Sequence, residues 1–77
     1  MSTYQGHRNW NQWNVSVWIH NDYGLYCLAC DLVHSCGNRD AAAHAILRHL
    51  KWSGITHTAD GAPYTFTSIR AALVGEW

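Results

Sequence analysis

Two stretches in the middle of the chain carry apolar residues at the spacing of an amphipathic helix. The first runs from Leu25 to Cys36 and is followed by Gly37, a residue typical of a helix end. The second runs from about Asp40 to Trp52, and its apolar stripe consists of Ala43, Ile46, Leu47 and Leu50. The alanines of this second stretch also favour helix intrinsically. We therefore predict one helix for each stretch.

The stretch from Trp10 to His20 fits two patterns. As a strand it would place Trp13, Val15, Val17 and Ile19 on one face, and its β-branched residues favour this reading. As a helix it has one stripe made of Trp10, Trp13, Asn14, Val17 and Trp18. Asn9 and Gln12 resemble a capping box, which favours the helix. We predict the helix, with its tryptophans filling the core against Leu28, Leu32, Leu47 and Leu50.

The C-terminal part suggests a short hairpin. Ile55–Thr58 and Tyr64–Thr67 flank a turn signal at residues 59–61, and Thr67 or Ser68 would cap a last helix over Ile69–Val74. The predicted fold is mostly α, with three to four short helices in a single domain over residues 1–77. The two-stranded hairpin is an optional addition, and an α+β fold is the alternative. Residues 1–8 are polar and predict a flexible arm.

Composition limits the function classes. Five Lys and Arg residues balance five Asp and Glu residues, so the net charge is zero with neutral histidines. This balance argues against nucleic-acid binding led by phosphate contacts. No apolar run reaches the roughly 18 residues that a membrane span requires, and no signal-peptide pattern opens the chain. The expected location is a reducing cytoplasm, where the three cysteines stay free thiols.

The candidate metal ligands are Cys27, Cys30 and His34. On a helix these side chains share one face, opposite the apolar stripe, but a structural zinc site needs four ligands and the chain offers no second pair at suitable spacing. We predict packed thiols and no cofactor, with a zinc-stabilised regulatory protein as the alternative. The chain also lacks an arrangement of nucleophile, base and orienting group, so we predict no enzymatic activity.

A candidate partner-binding surface surrounds Trp52, which falls outside the apolar stripe of its helix. Tryptophan near arginine is the usual composition of a protein–protein hot spot. The predicted surface combines Trp52 with the basic residues of the same stretch and the arm, namely Tyr4, Arg8, Arg39, Arg48 and Lys51. The competing interpretation packs Trp52 under the terminal segment and leaves the basic residues solvated.

Two motifs resemble a family of short, mostly uncharacterised proteins carried by bacteriophages and related mobile elements. The first is Trp13-Asn14-Val15-x-Val17-Trp18-Ile19-x-Asn21-Asp22, and the second includes Thr58-Ala59-Asp60-Gly61-Ala62. The chain has Gln12 where that family tends to have threonine, and residues 31–56 add nothing to the likeness. The resemblance implies a non-enzymatic phage accessory protein that acts in the cytoplasm of the infected host.

Small phage proteins of this kind often block a host machine. By analogy of size and source, we expect an anti-CRISPR protein that binds and occludes a CRISPR effector. The alternatives are the zinc-stabilised regulator and a nucleic-acid-binding module. The second is the weaker alternative, because the chain has only five basic residues. A homodimer is compatible with all three.

Overall fold

The chain folds into four helices that pack in a ring. A computed structural model describes residues 9–74 and contains α1 (Trp10–Asn21), α2 (Tyr23–Cys36), α3 (Arg39–Trp52) and α4 (Phe66–Ala72). Helix α1 packs against α2 and α4, and α3 packs against the same two helices from the other side. The predicted mostly α fold is confirmed. The predicted arm over residues 1–8 lies outside the described residues.

Each helix begins at a residue whose side chain accepts a backbone hydrogen bond. Asn9 caps α1, Asp22 caps α2, Asn38 caps α3 and Thr65 caps α4, with bonds of 2.7–3.1 Å. Such caps typically contribute about 1 kcal/mol each. The prediction that Asn9 caps the first helix is confirmed.

The predicted start of the last helix is wrong. Helix α4 spans Phe66–Ala72, not Ile69–Val74, because its cap is Thr65. The Thr65 hydroxyl accepts from the Ser68 backbone N–H, and the Ser68 hydroxyl accepts from the Thr65 backbone N–H at 3.0 Å. This reciprocal capping box satisfies two backbone donors and starts the helix earlier than predicted.

The optional two-stranded hairpin is reduced to a single bridge. Within residues 9–74 the backbone forms a single isolated antiparallel bridge between His57 and Pro63, and no strand. Proline cannot donate a hydrogen bond to a ladder. Thr65 then caps α4, so the second predicted strand is used to begin a helix.

The core consists mainly of aliphatic side chains and alanines. Every helix contributes to it, as does the 62–64 segment; the buried residues are Val15, Ile19, Ala29, Ala42, Ala43, Ile46, Leu50, Ala62, Tyr64, Ile69, Ala72 and Leu73. Five of these twelve residues are alanine, so the helices lie close together. The stripe predicted for α3 is confirmed at Ala43, Ile46 and Leu50, while Leu47 is half-buried.

The predicted tryptophan core is wrong. Helix α1 buries Val15 and Ile19, one turn apart, while Trp10 is 36% exposed and Trp13 and Trp18 are half-buried. An alanine-rich centre leaves little room for three indole rings, so these rings lie around the core instead. Among the leucines predicted to meet them, Leu50 is buried, whereas the others, Leu28, Leu32 and Leu47, are only half-buried.

Candidate functional site

The end of α3 carries the most exposed aromatic side chain among the described residues. Trp52 is 91% exposed, and Arg48 and Lys51 are exposed as well. Residues three and four apart on a helix are neighbours on its surface. We call these three residues the Trp52 surface. Within residues 9–74, no segment packs over the Trp52 indole.

The other predicted partner-binding residues do not join this surface in the described structure. Arg39 lies at the opposite end of α3, about 20 Å away along the helix axis. It is half-buried, and its Nε donates to the Leu73 carbonyl oxygen at 2.5 Å. Arg39 therefore links the start of α3 to the end of α4. Tyr4 and Arg8 lie outside the described residues.

A shallow apolar groove lies between α2 and α3. Leu25, Leu28, Leu50 and Ile55 provide its apolar surface, and its other lining residues are Asp22, Gly24, Asp31 and His49. We call it the α2/α3 groove. Because it joins residues from the start of α2 to residues from the end of α3, it lies at the same end of the molecule as Trp52.

The end of α3 shapes this groove. Gly54 has φ 77° and its N–H donates to the Lys51 carbonyl oxygen, while the Ile55 N–H donates to the Leu50 carbonyl oxygen at 2.9 Å. These two bonds define a Schellman motif, which folds Ile55 back toward Leu50. Sequence reasoning assigned Ile55 to a strand and missed its place here. The glycine followed by an apolar residue was the available signal.

The charged residues Asp31 of α2 and Arg48 of α3 differ from the charged residues that lie between α3 and α4. Arg70 of α4 donates to Asp40 at 2.6 Å, and His44 stacks on Phe66 with ring centroids 4.3 Å apart. Asp31 and Arg48 are both exposed, and neither takes part in an ion pair with another residue of the 9–74 range. These two charges are therefore available to another molecule.

The candidate metal ligands lie on a different flank of α2. Cys27 and Cys30 are half-buried free thiols, and His34 is exposed. In the described part of the chain, no group of three or more His, Cys, Asp or Glu side chains is placed to hold a metal ion.

The thiols of this flank interact with tyrosines one turn earlier on α2. A hydrogen bond to Cys27 raises the pKa of Tyr23, and a hydrogen bond to Cys30 raises the pKa of Tyr26. Each thiol thus has a phenol as its neighbour on the helix surface.

A buried polar network joins α1 to the loop before α4. Asn14 is only 2% exposed; its Nδ2 donates to Asp60 Oδ2 at 2.9 Å, and its Oδ1 accepts from the Thr58 hydroxyl at 2.6 Å. Trp18 Nε1 donates to the same Asp60 oxygen at 3.0 Å. The Thr58 hydroxyl in turn accepts from the Ala62 N–H. We call these residues the Asn14 network.

Electrostatics within the Asn14 network favour an ionised Asp60. The hydrogen bond from Asn14, followed by the one from Trp18, lowers the pKa of the Asp60 carboxyl below its ordinary value of 3.8. Sequence reasoning placed Asn14 in the stripe of α1 and Asp60 in a turn, but did not pair them. A polar residue inside an apolar stripe was the signal for a buried partner.

The Asn14 network also brings together residues of the two motifs noted in the sequence. Asn14 and Trp18 belong to the first motif, and Thr58 and Asp60 belong to the second. Their side chains hydrogen-bond to one another. These hydrogen bonds therefore join α1 to the loop before α4.

Across residues 9–74, the helices are too short and too polar to cross a membrane. A family model described as a family of unknown function, DUF7249, matches residues 1–76, and the chain therefore belongs to this family. No curated protein and no solved structure matches the chain.

Proposed function

We propose that this DUF7249 protein is a non-enzymatic binding protein whose contact surface is the Trp52 surface. The observation that carries the proposal is a tryptophan that is 91% exposed at the end of a helix with a well-formed cap. Large aromatic side chains flanked by arginine supply much of the binding energy in protein interfaces. A rigid helix that holds the indole in place also lowers the entropic cost of binding.

The setting of this surface supports recognition by shape more than by charge. The chain has no net charge, so long-range steering toward a charged partner is weak. The apolar groove at the same end of the molecule adds contact area, and the exposed residues Arg48 and Lys51 of the Trp52 surface provide hydrogen-bond donors. We infer a protein partner and not a nucleic acid.

We further propose that the partner is a host protein complex, namely a CRISPR effector, and that the protein is a phage-encoded inhibitor acting in the cytoplasm of the infected bacterium. Support for this step comes from the resemblance of the two motifs to short phage proteins. It also comes from analogy with small proteins that block host machines by occlusion.

An affinity pulldown from host lysate tests both the contact surface and the identity of the partner. The tagged wild-type protein, the Trp52→Ala variant and a matched Tyr23→Ala control serve as baits, and captured proteins are quantified by mass spectrometry. Tyr23 is a suitable control because it is another exposed aromatic, 81% exposed, on a different helix. The host must express a CRISPR system.

We expect effector subunits with the wild type and with Tyr23→Ala, and a loss of at least tenfold with Trp52→Ala. Thermal unfolding of Trp52→Ala should match the wild type, because an exposed side chain contributes little to stability. Capture of a different host complex that depends on Trp52 would reject the CRISPR assignment. Captured proteins that are insensitive to Trp52→Ala would reject the contact surface.

A further inference from the structure

We propose that a second copy of this chain covers the α2/α3 groove in the absence of another partner. In this two-fold symmetric dimer, Trp52 of each copy packs into the groove of the other. The inference goes beyond the proposed function because it requires no host protein. It follows from three features of the α2–α3 pair: a projecting ring, an apolar groove and two unpaired charges of opposite sign.

The shape of this face is complementary to itself. The two-residue connection Gly37-Asn38 places the start of α2 beside the end of α3, as the lining of the groove also shows. A two-fold axis parallel to these helices therefore lays α3 of one copy over α2 of the other. Trp52 then meets Gly24, which has no side chain, and the neighbouring Leu28.

The charges are complementary under the same rotation. Asp31 lies on the α2 edge of the groove, and Arg48 lies one turn before Trp52 on α3. The rotation that places Trp52 in the other groove also brings Arg48 toward the other copy's Asp31. Neither residue has an ion-pair partner within the described range. Opposite charges across an interface set its orientation.

A second copy fits this face because each copy carries both halves of every contact. A two-fold interface uses the same patch on both subunits, so the patch must contain both halves of every contact. Trp52 and the groove form one such pair, and Arg48 and Asp31 form another. Dissociation on dilution would then free Trp52 for the partner proposed above.

Analytical ultracentrifugation of the purified chain tests the dimer. We expect the wild type to show a monomer–dimer equilibrium in the micromolar range, as is usual for a small interface. Trp52→Ala should raise the dimer Kd about 30-fold, the loss expected for a central aromatic anchor. Tyr23→Ala, the matched aromatic control, should leave the Kd unchanged.

Charge reversal tests the orientation. Asp31→Arg and Arg48→Asp, each alone, should raise the Kd about tenfold because like charges then face each other. The two reversals combined in one chain should bring the Kd back to within about threefold of the wild type, since both pairs are restored with opposite polarity. Circular dichroism and thermal unfolding establish that each variant is folded.

Three outcomes would overturn the proposal. The first is a wild type that stays monomeric at every concentration tested. The second is a dimer Kd that does not change in Trp52→Ala. The third is a double reversal whose dimer Kd is as high as that of the single reversals. Because the purified chain is used alone, these outcomes are independent of the pulldown. A failed dimer leaves host binding open, and a failed pulldown leaves the dimer open.

Discussion

The Asn14 network and the α2/α3 groove differ in how far their polar groups are satisfied. In the network, the Asn14 amide uses both its nitrogen and its oxygen, and one Asp60 oxygen accepts from two donors. At the groove and on the neighbouring Trp52 end of α3, Asp31 and Arg48 have no ion-pair partner among residues 9–74, and Trp52 is almost fully exposed. The first region stabilises the chain internally, and the second is available for another molecule. Stability and recognition should therefore respond to different substitutions.

The largest expected effect on stability is that of Asn14→Ala. Removing this amide leaves the buried Thr58 hydroxyl without its acceptor and takes one donor away from Asp60, a change that typically costs about 2–3 kcal/mol. Urea unfolding followed by circular dichroism measures it. Asn11→Ala, an exposed position on the same helix, is the control and should change stability by less than about 0.5 kcal/mol. Equal effects of the two substitutions would show that the network does not stabilise the fold.

A smaller effect is expected for Gly54→Ala. The positive φ of Gly54 is strained for alanine, and substitution at such a position costs about 1 kcal/mol. Because Gly54 positions Ile55 at the groove, the variant should also weaken the proposed dimer. Urea unfolding and sedimentation measure the two effects. A lower free energy of unfolding with an unchanged dimer Kd would show that the Schellman motif stabilises the chain but does not shape the dimer contact.

The smallest effect is the acid sensitivity due to Asp60. Hydrogen bonds lower the pKa of Asp60 in the folded state, so its stabilisation is present above the ordinary value of 3.8 and is lost as the pH falls through the lowered value. Asp60→Asn keeps an oxygen acceptor but cannot titrate. We expect its stability to fall less steeply below about pH 4 than that of the wild type. Parallel acid profiles for the two proteins would contradict this role of Asp60.

Local signals predicted the helices well. The caps at Asn9 and Asp22 and the stop at Gly37 involve residues within one turn of each other, so they can be read from sequence. The last helix was placed too late because Thr65, Thr67 and Ser68 are all acceptable caps. The choice among them depends on the reciprocal bonds between Thr65 and Ser68, which form only with the preceding loop in place.

The candidate surface was predicted in part. Arg48, Lys51 and Trp52 lie within one helical turn, so their grouping follows from helix geometry. Arg39 was grouped with them by composition, but it binds the Leu73 carbonyl oxygen at the far end of the helix. The groove could not be foreseen, because its two sides come from α2 and α3 and its edge from the residue after Gly54.

The sequence by itself determined the mostly α fold and the positions of three helices, because spacing, caps and glycine stops act between near neighbours. Only the tertiary structure decided that α1 turns Val15 and Ile19 inward and leaves its tryptophans around the core. It also decided that Asn14 meets Thr58 and Asp60 across more than 40 positions of chain. Burial and long-range hydrogen bonds depend on the shape of the packed neighbours, and that shape exists only once the four helices have come together.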